Sequence, residues 1–384
     1  MARNRIAALA AALALTALTG CGAGRGLAAN YLPIEDLILV ETLGLDRGDD
    51  GAVLLTASAG GAEEACVLRA GAPALVPALA QLQDRAVRGR VIFAHTQSVV
   101  LGQAYAEGGV GDLFDFVERD IHTRMGAQLY VVRGGTAEAL VTGAGEGWTV
   151  SEALASVRGV TLSRGDSHVF DLRETAVALS EQGAALICAL RPVSAGAGAP
   201  DASPGITAVP AGFGILKDGR LAGFLDGDEA LCASLLSGTL GCVPLTVACE
   251  HGSATLEVRC AQPEMRVVCP GGGAAALEVR CAPTAAIAAV ESEAVPDPAE
   301  LEAALDRRLS AAISGVLGRA RALDADFLGL GRAVRRGGTE PSALPPDWLR
   351  TLTVSVSVET TVARSDDLGA RVGTDGGGEA DGDF

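Results

Sequence analysis

Short apolar runs, some alternating with polar residues and some spaced for a helix, follow one another along this chain. Leu37 to Gly44 and Val53 to Ala59 flank the polar step Asp49-Asp50-Gly51, which predicts a strand, a turn and a second strand. Val91-Ile92-Phe93 and Val99-Val100-Leu101 read as strands around His95, and Gln128 to Val132 as another. Helical spacing enters over residues 75 to 89. It returns from Asp112 to Arg119, where Leu113, Phe114, Phe116 and Val117 share a face. Ala137 to Val141 and Thr149 to Val157 supply further helical segments, so residues 31–191 are expected to form an α+β domain.

Residues 192–210 are rich in Pro, Gly, Ala and Ser and almost uncharged, which predicts a linker between two domains. Beyond it, Ala211 to Leu216 and Leu221 to Leu225 enclose Lys217-Asp218-Gly219-Arg220, a hairpin signal. Four alternating runs follow, Leu245-Val247-Cys249, Leu256-Val258-Cys260, Met265-Val267-Cys269 and Leu277-Val279-Cys281, and then Ala285 to Val290. The word LEVRCA occurs at 256–261 and again at 277–282. Leu301, Leu305, Leu309, Ala312, Ile313, Val316 and Leu317 form one stripe of a long amphipathic helix, with Asp297 as its cap and Pro298 at its first position. Leu352 to Val362 reads as one late strand. A C-terminal α+β domain over 211–364, with room for two subdomains, and a disordered acidic tail over 365–384 complete the chain. The expected class is α+β, a multi-domain mixed fold with antiparallel sheets and a long C-terminal helix.

The amino terminus changes the picture. Arg3 and Arg5 precede an apolar stretch from Ile6 to Leu18, followed by Thr19, Gly20 and Cys21, the layout of a signal peptide over residues 1–20. The stretch falls short of the roughly 20 residues a spanning helix needs. Leu18-Thr19-Gly20-Cys21 resembles the lipobox of bacterial lipoproteins, in which the cysteine receives lipid before cleavage in front of it. Cys21 is thus the candidate lipidation site, and residues 21–30 a lipidated tether.

The chain has 384 residues, and its 30 basic residues against 47 acidic ones become more unbalanced once Arg3 and Arg5 leave with the leader. Such a surface repels nucleic acid. Export permits disulfides among the cysteines beyond Cys21. If the four alternating runs form an antiparallel meander, however, cysteines at one sheet end lie about 9–10 Å apart, beyond the ~7 Å Cα limit for a bridge. Buried free thiols acting as small hydrophobes are then expected.

No catalytic, metal or cofactor residue emerges. Gly165-Asp166-Ser167-His168 reads as a turn, since adjacent Ser and His cannot easily adopt triad geometry. His95, His122, His168 and His251 have no metal-pair spacing, and His95 reads as a buried histidine bonded to backbone. Gly143-Ala-Gly145-Glu-Gly147 and Gly212-Phe-Gly214 lack the setting of a dinucleotide site. Aromatic residues make up only 3% of the chain, little material for stacking platforms.

Several words in order resemble one family. Ile34 to Val40 with Leu43-Gly44-Leu45-Asp46, then Val91 to Gly102, then Leu113 to Asp120 are similar to the Ger(x)C family, the lipoprotein C subunits of spore germinant receptors. Gly212 to Gly227, the helix from Leu301, Asp324-Ala-Asp326-Phe-Leu-Gly329-Leu-Gly331 and Trp348 before the Val354-Val356-Val358 strand continue the resemblance. It implies a non-enzymatic, lipid-anchored subunit on the outer face of the spore inner membrane, working with transmembrane receptor subunits that sense nutrient germinants. The alternative is a solute-binding lipoprotein of a transporter, which shares anchor and acidity but is usually built from βαβ units around a hinge.

Overall fold

The computed structural model of the chain describes residues 37–60, 66–86, 89–120, 123–143, 148–195, 205–268, 275–292, 296–338 and 344–363. The leader, Cys21, the tether, His122, Gly145 and Gly147, Cys269 and the tail lie outside the described residues.

Strand β1 (Leu37–Arg47) returns as β2 (Val53–Ala59), which pairs with β3 (Cys66–Ala72). Helix α1 (Leu75–Arg85), β4 (Arg90–Ile92), β5 (Ser98–Gly102), α2 (Gln103–Gly108), α3 (Gly111–Arg119) and β6 (Gln128–Val132) follow. Then come α4 (Ala137–Val141), α5 (Val150–Arg164), α6 (Leu172–Gln182), β7 (Ala184–Ala195), β8 (Gly205–Lys217) and β9 (Arg220–Leu225). These strands make one nine-stranded sheet in the order β3-β2-β1-β5-β6-β7-β8-β9, with β4 beside β1. Its middle, β1-β5-β6-β7, is parallel because helices carry the chain back between strands.

Helices cover both faces, which is why β5 is buried at every position and shows no alternation. Val99 and Leu101 join Leu75, Leu82, Tyr105, Leu113 and Leu172 in one core. Val100 joins Tyr130, Leu140, Val150 and Leu154 in the core on the opposite face. The hairpin turn carries Asp218 and Gly219 at positive φ, 48° and 72°, as a two-residue turn between twisted strands demands.

The remainder comprises α7 (Gly227–Ser237), β10 (Cys242–Cys249), β11 (Gly252–Arg259), β12 (Glu264–Val268), β13 (Ala276–Cys281), β14 (Thr284–Ser292), α8 (Pro298–Leu323), α9 (Leu330–Arg336), α10 (Trp348–Thr351), β15 (Thr353–Val358) and β16 (Thr361–Ala363). Two smaller sheets result, β10-β11-β14-β16 and β12-β13-β15. Helix α8 starts as expected: the Asp297 carboxylate accepts the Ala299 N–H at 3.1 Å, and Pro298 opens the first turn. Its stripe from Leu301 to Leu317 is buried among both small sheets, α7 and the β7–β8 residues Leu186, Phe213 and Ile215. Each large apolar side chain so buried contributes roughly 1.5–3 kcal/mol. On the flank of α8, Arg308 grips Asp228 with two hydrogen bonds of 2.9 and 2.6 Å and donates a third to the Thr246 carbonyl at 2.7 Å.

The α+β class and the long C-terminal helix hold. Four local expectations do not. Residues 192–195 and 205–210 are not a loop, because β7 and β8 stay paired out to Ala195 opposite Gly205. Past Leu190, β7 has lost its partner β6, and β9 pairs only with Phe213 to Lys217 of β8. The outer hairpin is therefore a two-stranded ribbon, where the missing N–H groups of Pro192 and Pro210 are tolerated. The hairpin over 211–225 accordingly completes the large sheet.

The four alternating runs are not a meander. β10 and β11 pair in one small sheet, β12 and β13 in the other. Leu352 to Val362 is not one strand, since β15 lies against β13 and β16 against β14, with a break at Glu359 and Thr360. His95 is exposed in the turn before β5 rather than buried, because Phe93 and Thr96 close that turn through their backbone at 2.9 Å.

Candidate functional site

Two words singled out in the sequence meet. Leu45 of β1 lies beside Leu101 of β5, which sets Asp46 next to Gly102. The Asp46 carboxylate accepts the N–H groups of Ala137 and Glu138, both at 2.8 Å, at the start of α4. Burial pushes its pKa up, and those two N–H groups pull the other way. This cluster fixes a helix on a sheet and leaves no free group for chemistry.

A second word, Asp324 to Gly331, shapes a cleft. Helix α8 stops at Asp324, which takes the left-handed conformation with φ 50°. Asp326 then folds inward, its carboxylate accepting the N–H groups of Leu330 at 2.6 Å and Gly331 at 2.7 Å. It thereby starts α9, whose Arg332, Arg335 and Arg336 line a cleft of about 860 Å³ between α6 and the neighbouring α7, β12 and α9. Arg173 from α6 faces the same space. None of the ion pairs among the described residues involves Arg335 or Arg336, and the buried Nε2 of Gln182, also on the wall, has no hydrogen-bond partner. Forked guanidinium donors and a spare amide suit carboxylate or phosphate groups better than a cation.

His168, on the same wall, stacks edge-on against Phe170 with centroids 4.8 Å apart. Burial lowers its pKa, so it is neutral at pH 7. Ser167 beside it accepts the Gly212 N–H at 3.2 Å. The segment follows the left-handed cap Gly165 of α5, and Arg164 pairs with Asp166 at 2.6 Å across it. Among the described residues no group of three or more His, Cys, Asp and Glu is placed to hold a metal ion. Among them, too, no helix is long and apolar enough to cross a membrane.

The arginines of the cleft escaped the sequence reading. One signal existed: Asp171 and Glu174 form a capping box at the start of α6, and that spacing in front of Leu172 would have placed Arg173 in a first turn. Nothing local in the sequence tells that α6 and α9 converge.

Two expectations follow at this junction. Burial raises the Asp326 pKa from 3.8 to about 6 against the pull of its backbone donors. A raised acid stabilises the fold fully below the unfolded value, and that contribution is lost as pH climbs toward the folded value. The melting-temperature advantage of the native chain over Asp326→Asn should therefore shrink between pH 4 and about 6. An advantage that stays flat across that window would remove the titration. The second concerns Lys217, the only lysine of the chain, whose Nζ donates to the Leu323 carbonyl at 2.8 Å and so ties the large-sheet hairpin to the end of α8. Lys217→Met should cost about 1–2 kcal/mol in urea unfolding, and a variant as stable as the native chain would show that the bond contributes nothing.

Two family models match the chain. The N-terminal domain of spore germination proteins matches residues 30–190, and the domain described as spore germination B3/GerAC-like, C-terminal, matches residues 211–366. The crystal structure of the GerBC protein superposes with a TM-score of 0.53 at 14% identity, covering 84% of this chain and 97% of its own. At that identity the likeness is one of fold. No curated protein matches. The gap between the two matched regions, 191–210, coincides with the outer ribbon of β7 and β8.

Proposed function

Because the chain belongs to the GerAC-like family of spore germination proteins, we propose that it is the lipid-anchored, non-enzymatic subunit of a nutrient-germinant receptor. It acts with transmembrane subunits to trigger germination, held at the outer face of the spore inner membrane by lipid on Cys21. The observation that carries this reading is the ordered match of both family domains over nearly the whole chain beyond the leader. The lipobox supports the anchor independently, since Leu18 to Cys21 lies directly upstream of the first matched residue by only a short tether.

The arginines of the cleft offer a docking place for acidic groups of a partner, and germinant sensing rests with the membrane-embedded subunits, as the family resemblance implies. Affinity purification of the tagged chain from detergent-extracted spores tests the proposal. Polytopic membrane subunits should co-purify, and spores lacking the chain should germinate poorly on nutrients. Recovery of the chain alone, together with normal nutrient germination of the deletion strain, would overturn it.

A further inference from the structure

Beyond the receptor role, the corner where the chain passes between the two small sheets holds chemistry that role does not use. Arg259 at the end of β11 pairs with Thr284 of β14 in one sheet, and Glu264 of β12 pairs with Arg280 of β13 in the other. The two short connections, 260–263 and 282–283, therefore run side by side in opposite directions. Cys260 opens the first of them, and Cys281 is the last residue before the second. Each ends one copy of the repeated LEVRC word. The side chains meet there, both packed against the same core and close enough for the two thiols to shift one another's titration. Cys281 is 3% exposed, Cys260 half-buried at the edge of the same core, and both are free thiols in the structure.

We propose that Cys260 and Cys281 form a disulfide when the chain folds under oxidising conditions, bolting the two small sheets together where their strands change sheet. The reading of the leader as an export signal bears on this only by supplying the oxidising side of a membrane. The step is thiol–disulfide exchange. One cysteine thiolate attacks a sulfur of an oxidant disulfide, expelling one thiol and leaving a mixed disulfide. The second cysteine thiolate then attacks the protein sulfur of that bond and expels the other thiol. One Sγ–Sγ bond forms, the S–S bond of the oxidant breaks, and two electrons and two protons pass to it. In vitro the oxidant is glutathione disulfide; in the cell it is an exported thiol–disulfide oxidoreductase.

The closeness favours the pairing, because the neighbouring Cys260 thiol holds the Cys281 thiol below its ordinary pKa. Rival thiols are placed less well. Cys232 lies mid-helix in α7, its side chain fully buried, rather than on either connection. Cys242 is exposed at the start of β10, opposite Arg259 rather than at the crossing.

The sequence makes the test direct. Trypsin cuts after Arg259, Arg266, Arg280 and Arg307, so Cys260 falls in peptide 260–266 and Cys281 in peptide 281–307, each with no other cysteine. The purified full chain is refolded with reduced and oxidised glutathione, alkylated, digested and analysed by mass spectrometry. The expected result is a linked pair of these two peptides that reductant separates. The melting temperature should also fall to that of the reduced protein in Cys260→Ser and Cys281→Ser. Both peptides alkylated, or Cys281 linked to Cys232 or Cys260 to Cys242, would overturn the proposal. Because the refolding needs no export, a chain that pairs in glutathione yet stays in the cytoplasm of its host would count against the leader reading alone.

Discussion

Replacing Cys21 with alanine should move the chain almost completely from the membrane fraction to the soluble fraction, while the melting temperature of the purified protein stays unchanged. The size of the effect follows from the anchor. Each buried methylene contributes about 0.8 kcal/mol, one acyl chain holds a protein only reversibly, and two hold it firmly. No described helix is long and apolar enough to supply a second means of insertion. The fold should not notice the change, because β1 begins only at Leu37. Fractionation of cells expressing the native and Cys21→Ala chains, with a lipid-specific mass shift on the amino-terminal peptide, reads the outcome. A variant that remains with the membrane would show that contacts with partners, rather than acyl chains, hold the protein there.

Gly102→Ala should destabilise the fold strongly. A Cβ on Gly102 would stand 1.9 Å from the Asp46 Oδ1 and 3.1 Å from its Cγ. The carboxylate cannot move aside cheaply, since it is 6% exposed and holds the N–H groups of Ala137 and Glu138. Displacing it loses two charge-assisted hydrogen bonds and forces an overpacked core, together about 3–5 kcal/mol. Asp46→Ala alone should also destabilise, but Gly102→Ala added to it should cost far less than in the native background, because the clashing atom is gone. Urea unfolding of the two single variants and the double variant gives the coupling. Strict additivity would refute the contact as the cause.

These residues also show what could be read from the sequence. Leu43-Gly44-Leu45-Asp46 and Val99-Val100-Leu101-Gly102 stand out as words, yet nothing local says that the glycine exists to make room for the aspartate 56 positions earlier in the chain. Element types came through where a pattern is local: the α8 stripe, its Asp297 cap, the Asp218-Gly219 turn and the strand over Gln128 to Val132 all lie where periodicity put them. What failed was pairing. Alternation in Leu256 to Cys260 and Leu277 to Cys281 identifies strands but not partners: the first run leaves its sheet after Arg259 and the second after Cys281. Pro192 and Pro210 misled for the opposite reason: each signals a missing ladder bond, and a two-stranded ribbon extending past its sheet satisfies that signal as well as a loop does. The cleft was the least legible feature, because its arginines come from helices distant in sequence that only the packing of α8 against the large sheet brings together.

The position of β1 has a mechanical meaning. A fully extended chain covers about 3.5 Å per residue, so with lipid on Cys21, as proposed, the stretch to Leu37 would be a leash of at most about 55 Å. Its far end is tied to an inner strand of the large sheet, bonded to β2 on one side and to β4 and β5 on the other. A pull along the leash must shear both ladders at once, whereas an edge strand would peel away bond by bond. Anchored through Cys21 as proposed, the protein would take a tug from the membrane on this inner strand and pass the load into its body without unravelling from the end that is held.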